Sequence, residues 1–303
     1  MDNNGGFLSV FVCYGYEDIL KFIREHIKYI RYVSSLVYKE LKDIPDFEFK
    51  YDCDLDIFQS IELTKEFLDY IDREHMIKFE NSLNDGSIDI FETESICNHS
   101  YVEFHGDLYD MSIDWKHNLD DVFSFVHEYF HTTNYKGKNS SLDRILLTES
   151  ISIFYEFVLY DYLKRYSYFE NDSLSCLKYR LGLTFDDSNS LIKIIDELNG
   201  YLDDLEILKN VDIDNYDNIE KDYNRLIYPL KYVISTYVAI ILFDSYKNNR
   251  ITLNNINSLN DSMGSNNHLE SLRNVMLSVP DEECFENSMK YFKDEFKYIL
   301  SKK

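Results

Sequence analysis

The stretch Val126-His127-Glu128-Tyr129-Phe130-His131 constrains this chain more than any other. It reads H-E-x-x-H and follows Asp120-Asp121-Val122-Phe123-Ser124-Phe125, a run of helical character. Residues four apart on a helix stand one above the other on the same face. His127 and His131 can therefore aim two imidazoles at one point, which suits two ligands of a tetrahedral zinc ion. Glu128 lies one position round the helix, beside the metal and off it. A carboxylate there is placed to take a proton from a zinc-activated water. The same pentapeptide also fits an amphipathic helix that carries two histidines and no metal.

A third ligand has to come from elsewhere. The next helical run is Leu142 to Glu156, and in it Glu149 and Glu156 are seven residues apart, about two turns, so both lie on one face. That face is otherwise apolar. A carboxylate among Leu146, Ile153 and Phe157 is costly unless it is paired or binds a metal. Glu149 is thus the candidate third ligand; the alternative is that both glutamates are solvated.

Composition excludes several classes. The chain has 303 residues with 45% apolar content, ample for a packed core, and no linker distinct enough to divide it. A single domain over 1–303 is expected, with a helical lead-in over 1–82 and a zinc-binding core over 83–303. The net charge of −24 repels nucleic acid and anionic membrane, so neither is expected as a partner. The five cysteines (Cys13, Cys53, Cys97, Cys176 and Cys284) are odd in number and scattered, with no C-x-x-C, which fits a reducing compartment. The apolar run from Phe7 to Tyr14 has no basic residue before it and is too short to span a membrane. These features predict a soluble, cytoplasmic protein. Three prolines and nine glycines predict long helices and few tight turns.

The pattern predicts a helix over 16–42, with Ile19, Phe22, Ile23, Ile27, Ile30 and Val33 on one stripe. A second long helix is expected from about Ser60 to Asn81, broken at Asn84-Asp85-Gly86. Between 87 and 115 the period changes. Ile88–Phe91, Tyr101–Phe104 and Leu108–Trp115 alternate in polarity and predict a small sheet. After the H-E-x-x-H helix come a polar loop over Thr132–Ser140 and a ligand helix over 141–168. A loop at Asp186–Asn189 then leads to a helix over Leu191–Leu208, and an acidic loop over 211–219 to a helix from Ile219 to Tyr246 that contains Pro229. Two or three short helices close the chain. The fold class predicted is mainly α, a zincin-type helical catalytic domain with a small β-sheet before the H-E-x-x-H helix.

The chain resembles the catalytic half of oligoendopeptidase F and the thimet oligopeptidase group, which are gluzincins. Leu119-Asp120-Asp121-Val122-Phe123-Ser124-Phe125-Val126-His127-Glu128 is similar to the family run L-D-D-V-F-T-L-A-H-E. Thr148-Glu149-Ser150-Ile151-Ser152-Ile153-Phe154-Tyr155-Glu156 resembles A-E-x-x-S-T-x-x-E, which carries the glutamate ligand. Ile88-Asp89-Ile90-Phe91-Glu92 resembles the I-D-V-Y-E strand, and the segment Tyr228–Tyr237 resembles the tyrosine-rich segment that contacts substrate. These matches occur in the family's order over roughly residues 20–300.

The sequence also departs from the family. Phe130 stands where a glycine usually precedes the second histidine, and Asn134 where a third histidine often follows. Thr93-Glu94-Ser95-Ile96-Cys97 replaces a glycine-lysine-rich loop, and no histidine precedes the tyrosine segment. These changes bear on substrate recognition; the metal set and the base are intact.

The resemblance implies a zinc-dependent endopeptidase with one zinc per chain, held by His127, His131 and Glu149, and with Glu128 as general base. Tyr232 and Tyr237 are its candidates for stabilising the oxyanion, and Tyr228 for contacting the peptide substrate. Glu156 and Asp120 are expected to orient the ligand histidines from behind. The family's N-terminal half roofs a deep channel. Too few residues precede the strands here to build such a roof, so a more open cleft is expected. In it an extended peptide would pair with the strand edge near Leu108–Trp115, with a preference for Lys and Arg that follows from the acidic surplus. Two other readings remain: a catalytically degenerate, zinc-containing peptide-binding protein, and a helical interaction protein without metal. The oligomeric state is not legible.

Overall fold

Apolar residues at three- and four-residue spacing make α1 (Tyr16–Leu41), whose Ile23, Ile30, Val33, Val37 and Leu41 form one buried stripe. The computed structural model describes residues 16–44, 53–93, 100–105, 108–134, 142–166, 169–199, 216–262 and 282–301. The stripe of α1 packs on α6 (Glu170–Asn199) and α7 (Tyr216–Lys247), so the helical lead-in shares its apolar core with the rest of the chain.

The long helix expected over Ser60–Asn81 is two helices, α2 (Ile57–Ile71) and α3 (Arg73–Asp85). Asp72 divides them. Its backbone is extended, its N–H donates to the Leu68 carbonyl at 2.9 Å, and its carboxylate accepts from the Glu74 N–H at 2.8 Å. One aspartate therefore closes one helix and caps the next. A capping box of Asp56 and Gln59 starts α2. Gly86, at φ 82°, ends α3 in the left-handed conformation that glycine adopts without strain.

The three predicted strands are present: β1 (Ile88–Phe91), β2 (Tyr101–His105) and β3 (Leu108–Asp114), in the order β1-β3-β2. β1 runs parallel to β3, with Ile88 opposite Met111 and Ile90 opposite Ile113; β2 runs antiparallel to β3, with Val102 opposite Met111. The buried face, Ile88, Val102, Met111 and Ile113, lies on α4 (Asp120–Asn134). This order corrects one expectation. β3, the Leu108–Trp115 segment, is central and hydrogen-bonded on both sides, so it offers no edge to a peptide. Among the described residues the edges are β1 and β2.

Two aspartates fix the passage from sheet to helix. Asp114 is wholly buried at the end of β3; it accepts from the Thr93 N–H at 3.1 Å and pairs with Lys116 at 2.7 Å. Asp121 accepts from the N–H groups of Lys116 and Asn118 at 2.7 and 2.9 Å. The start of α4 is tied to the sheet by these bonds.

α5 (Leu142–Leu163) packs on α4 and α7. Phe130 stacks flat on Tyr155 between α4 and α5, with ring centroids 3.4 Å apart. An aromatic pair thus fills the place where the resembled family has glycine. α6 is continuous through Asp186–Asn189, where a loop is expected. Leu181, Thr184, Ser188, Leu191 and Ile195 keep one buried stripe across those polar residues, and tertiary packing overrides the local turn signal. The helix expected beyond residue 199 and the acidic loop up to 215 lie outside the described residues.

α7 is continuous through Pro229, and its stretch Leu226–Lys247 is long and apolar enough to cross a membrane. Most of that stretch is buried in the fold, on α5 and α6. α8 (Leu253–Ser262) and α9 (Glu282–Leu300) complete the core, α9 longer than the short helices expected there.

Candidate metal centre and active site

The helical spacing of four brings His127 and His131 together on α4, their Nε2 atoms 3.0 Å apart. α5 presents Glu149 to both: Oε1 lies 3.3 Å from His127 Nε2 and Oε2 3.4 Å from His131 Nε2. One ligand atom from each residue falls within 4.8 Å of the others. Glu149 is 2% exposed, and its Oε1 has no hydrogen bond despite the nearby imidazole. Two ring nitrogens and a buried carboxylate oxygen converging in this way could hold a metal ion. A single proton satisfies only one pair, whereas a zinc ion takes all three donors and keeps a position open. The residues present fit the metal.

The electrostatics point the same way. Burial disfavours charge on His127, but Glu149 and Glu156 outweigh it and push its pKa up to about 10. Burial also works to raise Glu149, yet Lys231 and His127 hold it well below the ordinary carboxylate range. The pocket therefore favours positive charge at His127 and an ionised Glu149.

Glu156 lies two turns along α5 from Glu149, and its Oε1 accepts from His127 Nδ1. Asp120 lines the same cavity as His127 but makes no hydrogen bond to a histidine among the described residues, so the direct support expected of it is not seen. Its partner is Arg180 on α6, which also pairs with Glu156. Asp120 is linked to His127 through Arg180 and Glu156.

Glu128 is 9% exposed and lines a cavity of about 500 Å³ together with His127, Tyr228, Tyr232 and Asp187. Burial raises its pKa, and the two histidines partly offset this. Ser100, at the entry to β2, lines the same cavity. The edge strand β2 therefore begins at the cleft.

The tyrosines of α7 divide. Tyr228 and Tyr232 are one turn apart, stacked at 6.4 Å, and both line the cavity. The Lys231 charge works to lower the Tyr232 hydroxyl, but burial and Glu149 prevail and its pKa is raised. Tyr237 is wholly buried against Phe285 of α9, on another side of α7. Five residues on a helix turn about 140°. Tyr237 is therefore a core residue, a correction to its candidacy as oxyanion donor, and Thr236 stands at the cavity instead.

Sequence reasoning missed two basic residues. Arg180 is the partner shared by Asp120 and Glu156. Lys231, 3.1 Å from Glu149 Oε2, is the one lysine in the apolar run Leu226–Phe243. A charge on an apolar helix face, the signal that marks Glu149, marks Lys231 as well. Of the cysteines, Cys53 and Cys176 are described. Both are free thiols, and neither belongs to this cluster.

Comparison with solved structures adds the fold. An oligoendopeptidase F, provisionally so described, from Bacillus anthracis strain Ames superposes with a TM-score of 0.54 at 15% identity, over 94% of this chain and 57% of its own. A provisionally described peptidase from Chlamydophila abortus gives 0.54 at 16%, over 94% and 56%. PZ peptidase A, solved with an inhibitor, gives 0.55 at 14%, over 94% and 59%. The fold is that of these peptidases. This chain spans somewhat more than half the length of each. No protein-family model matches the sequence, nor does any curated protein.

Proposed function

We propose that this chain is a zinc-dependent endopeptidase that hydrolyses oligopeptides. The observation that carries the reading is a buried His127–His131–Glu149 donor set whose neighbour, Glu128, opens into the same cavity as two tyrosines. When bound, zinc supplies Lewis-acid activation of water and of the scissile carbonyl.

The chain's own groups do the rest. Glu128, partly desolvated, takes the proton of the attacking water and returns it to the leaving amine. The Tyr232 hydroxyl donates to the carbonyl oxygen as negative charge develops there. Glu156 keeps the His127 proton on Nδ1, so that Nε2 offers its lone pair to the metal. Tyr228 gives the peptide an aromatic wall. Extended backbone would add along β2, whose entry lies at the cleft.

Asp187 lines the cavity with no ion-pair partner among the described residues, which favours peptides carrying Lys or Arg. Cytoplasmic location belongs to this proposal, on the scattered free thiols.

The second reading is a zinc-containing peptide-binding protein with weak turnover. It is favoured by the stacked Phe130–Tyr155 pair beside the second histidine and by the lysine held on Glu149. Metal analysis, with turnover of a quenched-fluorescent peptide library, tests both. Zinc at one per chain with cleavage that a chelator abolishes is the expected result. Zinc without cleavage favours the binding protein, and absence of zinc after reconstitution overturns both readings.

A further inference from the structure

Lys231 sits where a metallopeptidase mechanism does not require a cation. Its Nζ is 3.1 Å from Oε2 of Glu149, and the two side chains are 11% and 2% exposed. The ammonium lies 4.3 Å from the centroid of the Tyr232 ring, within cation–π range. Its neighbours on α7, Leu230, Val233 and Ile234, are buried apolar residues. Ser235, one turn on, donates to the Leu146 carbonyl at 2.9 Å and clamps α7 to α5 three residues before Glu149. Lys231 is therefore delivered to the carboxylate by two helices locked together, and a buried ammonium has to have such a partner.

We infer that Lys231 is an internal counter-cation of the metal centre: it holds Glu149 in one orientation and competes with the metal for its charge. Lys231 takes Oε2, while Oε1, the oxygen without a hydrogen bond, is left beside His127. Before the metal arrives, Lys231 is the larger of the charges, with His127, that compensate the buried Glu149 carboxylate. Once the metal is bound, two cations share one carboxylate, and their mutual repulsion lowers affinity. Lys231 thus moderates metal affinity in exchange for a metal-free state that stays folded. It is a positioning residue: it acts on the metal through Glu149, and its ammonium also meets the Tyr232 hydroxyl. This rests on the zinc reading above.

The test compares the wild type with Lys231→Met and Lys231→Arg, each stripped of metal. Zinc affinity is measured by competition with a chromophoric chelator, and Tm with and without zinc. Lys231→Met is expected to lower the Tm of the metal-free protein, to tighten zinc binding at least tenfold and to enlarge the rise in Tm on adding zinc. Lys231→Arg keeps the charge and should stay within about threefold of wild-type affinity, since the ion pair survives. Should Lys231→Met not fold without metal, its recovery by zinc supports the inference; should zinc not recover it, Lys231→Gln is measured in its place with the same expected direction. Zinc binding in the neutral variant equal to or weaker than wild type overturns the inference and leaves the zinc site standing. A wild type that takes up no zinc, with a neutral variant that does, supports it; no zinc in either overturns the inference and the zinc reading together.

Discussion

His127 is held from behind by Glu156. Nδ1 donates to the Glu156 carboxylate, and Nε2 is thereby left facing Glu149 and His131. Arg180 grips the same carboxylate and also Asp120, so the ring's orientation is fixed through α4, α5 and α6 at once. Removing the carboxylate frees the ring and leaves Arg180 half-paired. Glu156→Ala is expected to weaken zinc binding 10- to 100-fold, the usual effect of losing such a partner. Chelator competition measures this. An affinity equal to wild type would show that His127 needs no support.

Glu128 shares the cavity with His127 but is not one of the three donors. Glu128→Gln preserves shape and removes the proposed base. Zinc content should remain at one per chain while kcat falls by about 10²–10⁴. Metal analysis and peptide turnover on the same sample separate the two effects. Loss of zinc would make Glu128 a ligand, and full turnover would remove it from the reaction.

Tyr232 and Tyr237 offer an internal control, since only the first lines the cavity. Tyr232→Phe deletes the hydroxyl proposed to stabilise the oxyanion and should lower kcat about 10²- to 10³-fold with little change in KM. Tyr237→Phe should leave kcat within about twofold, and any effect should appear in Tm instead. Equal kinetic losses in the two variants would deny Tyr232 its role.

Asp72 serves two helices with one residue, closing α2 and capping α3. Asp72→Ala is expected to destabilise the protein by about 1 kcal/mol, and Asp72→Asn by less, because the amide oxygen still accepts from Glu74. Denaturant unfolding of both variants checks the order, and a reversal would mean that charge, not the cap, is what matters there.

What could be read from the sequence was local and periodic. The histidine pair on α4 follows from a spacing of four, and Glu149 from a charge on an apolar face. The three strands follow from alternation. The order β1-β3-β2 does not, because it depends on which strands meet after the chain has folded. The same limit explains α6: Asp186-Asp187-Ser188-Asn189 has a loop's composition, yet Ser188 and Leu191 lie on the stripe that α1 and α7 cover. Lys231 and Arg180 were legible in principle, since each is a basic residue in a buried helical stretch. Their partners could be named only once α5, α6 and α7 were side by side. Tyr237 was misplaced by counting tyrosines in a motif where the helical angle decides.

Asp187 lies on the cavity wall one turn beyond Thr184, whose hydroxyl is 3.1 Å from that of Thr236 and ties α6 to α7. Arg180, one turn earlier, is neutralised by Asp120 and Glu156. Asp187 is thus the acid of that wall with no ion-pair partner among the described residues, and it is placed to meet a basic substrate side chain. Burial, reinforced by Asp186, pushes its pKa up to about 6, against the pull of Lys231. Below that pH the group is neutral and gives no preference; as pH rises through about 6 it ionises, and attraction for Lys or Arg appears. The ratio of kcat/KM for a lysine peptide over its norleucine counterpart should therefore grow across this interval. Asp187→Asn should hold the ratio near its low-pH value at every pH, with Tm little changed. Salt should shrink the ratio for the wild type far more than for the variant. A flat ratio in the wild type, or a pH-dependent one that survives in Asp187→Asn, would place the preference for basic peptides elsewhere on this acidic chain.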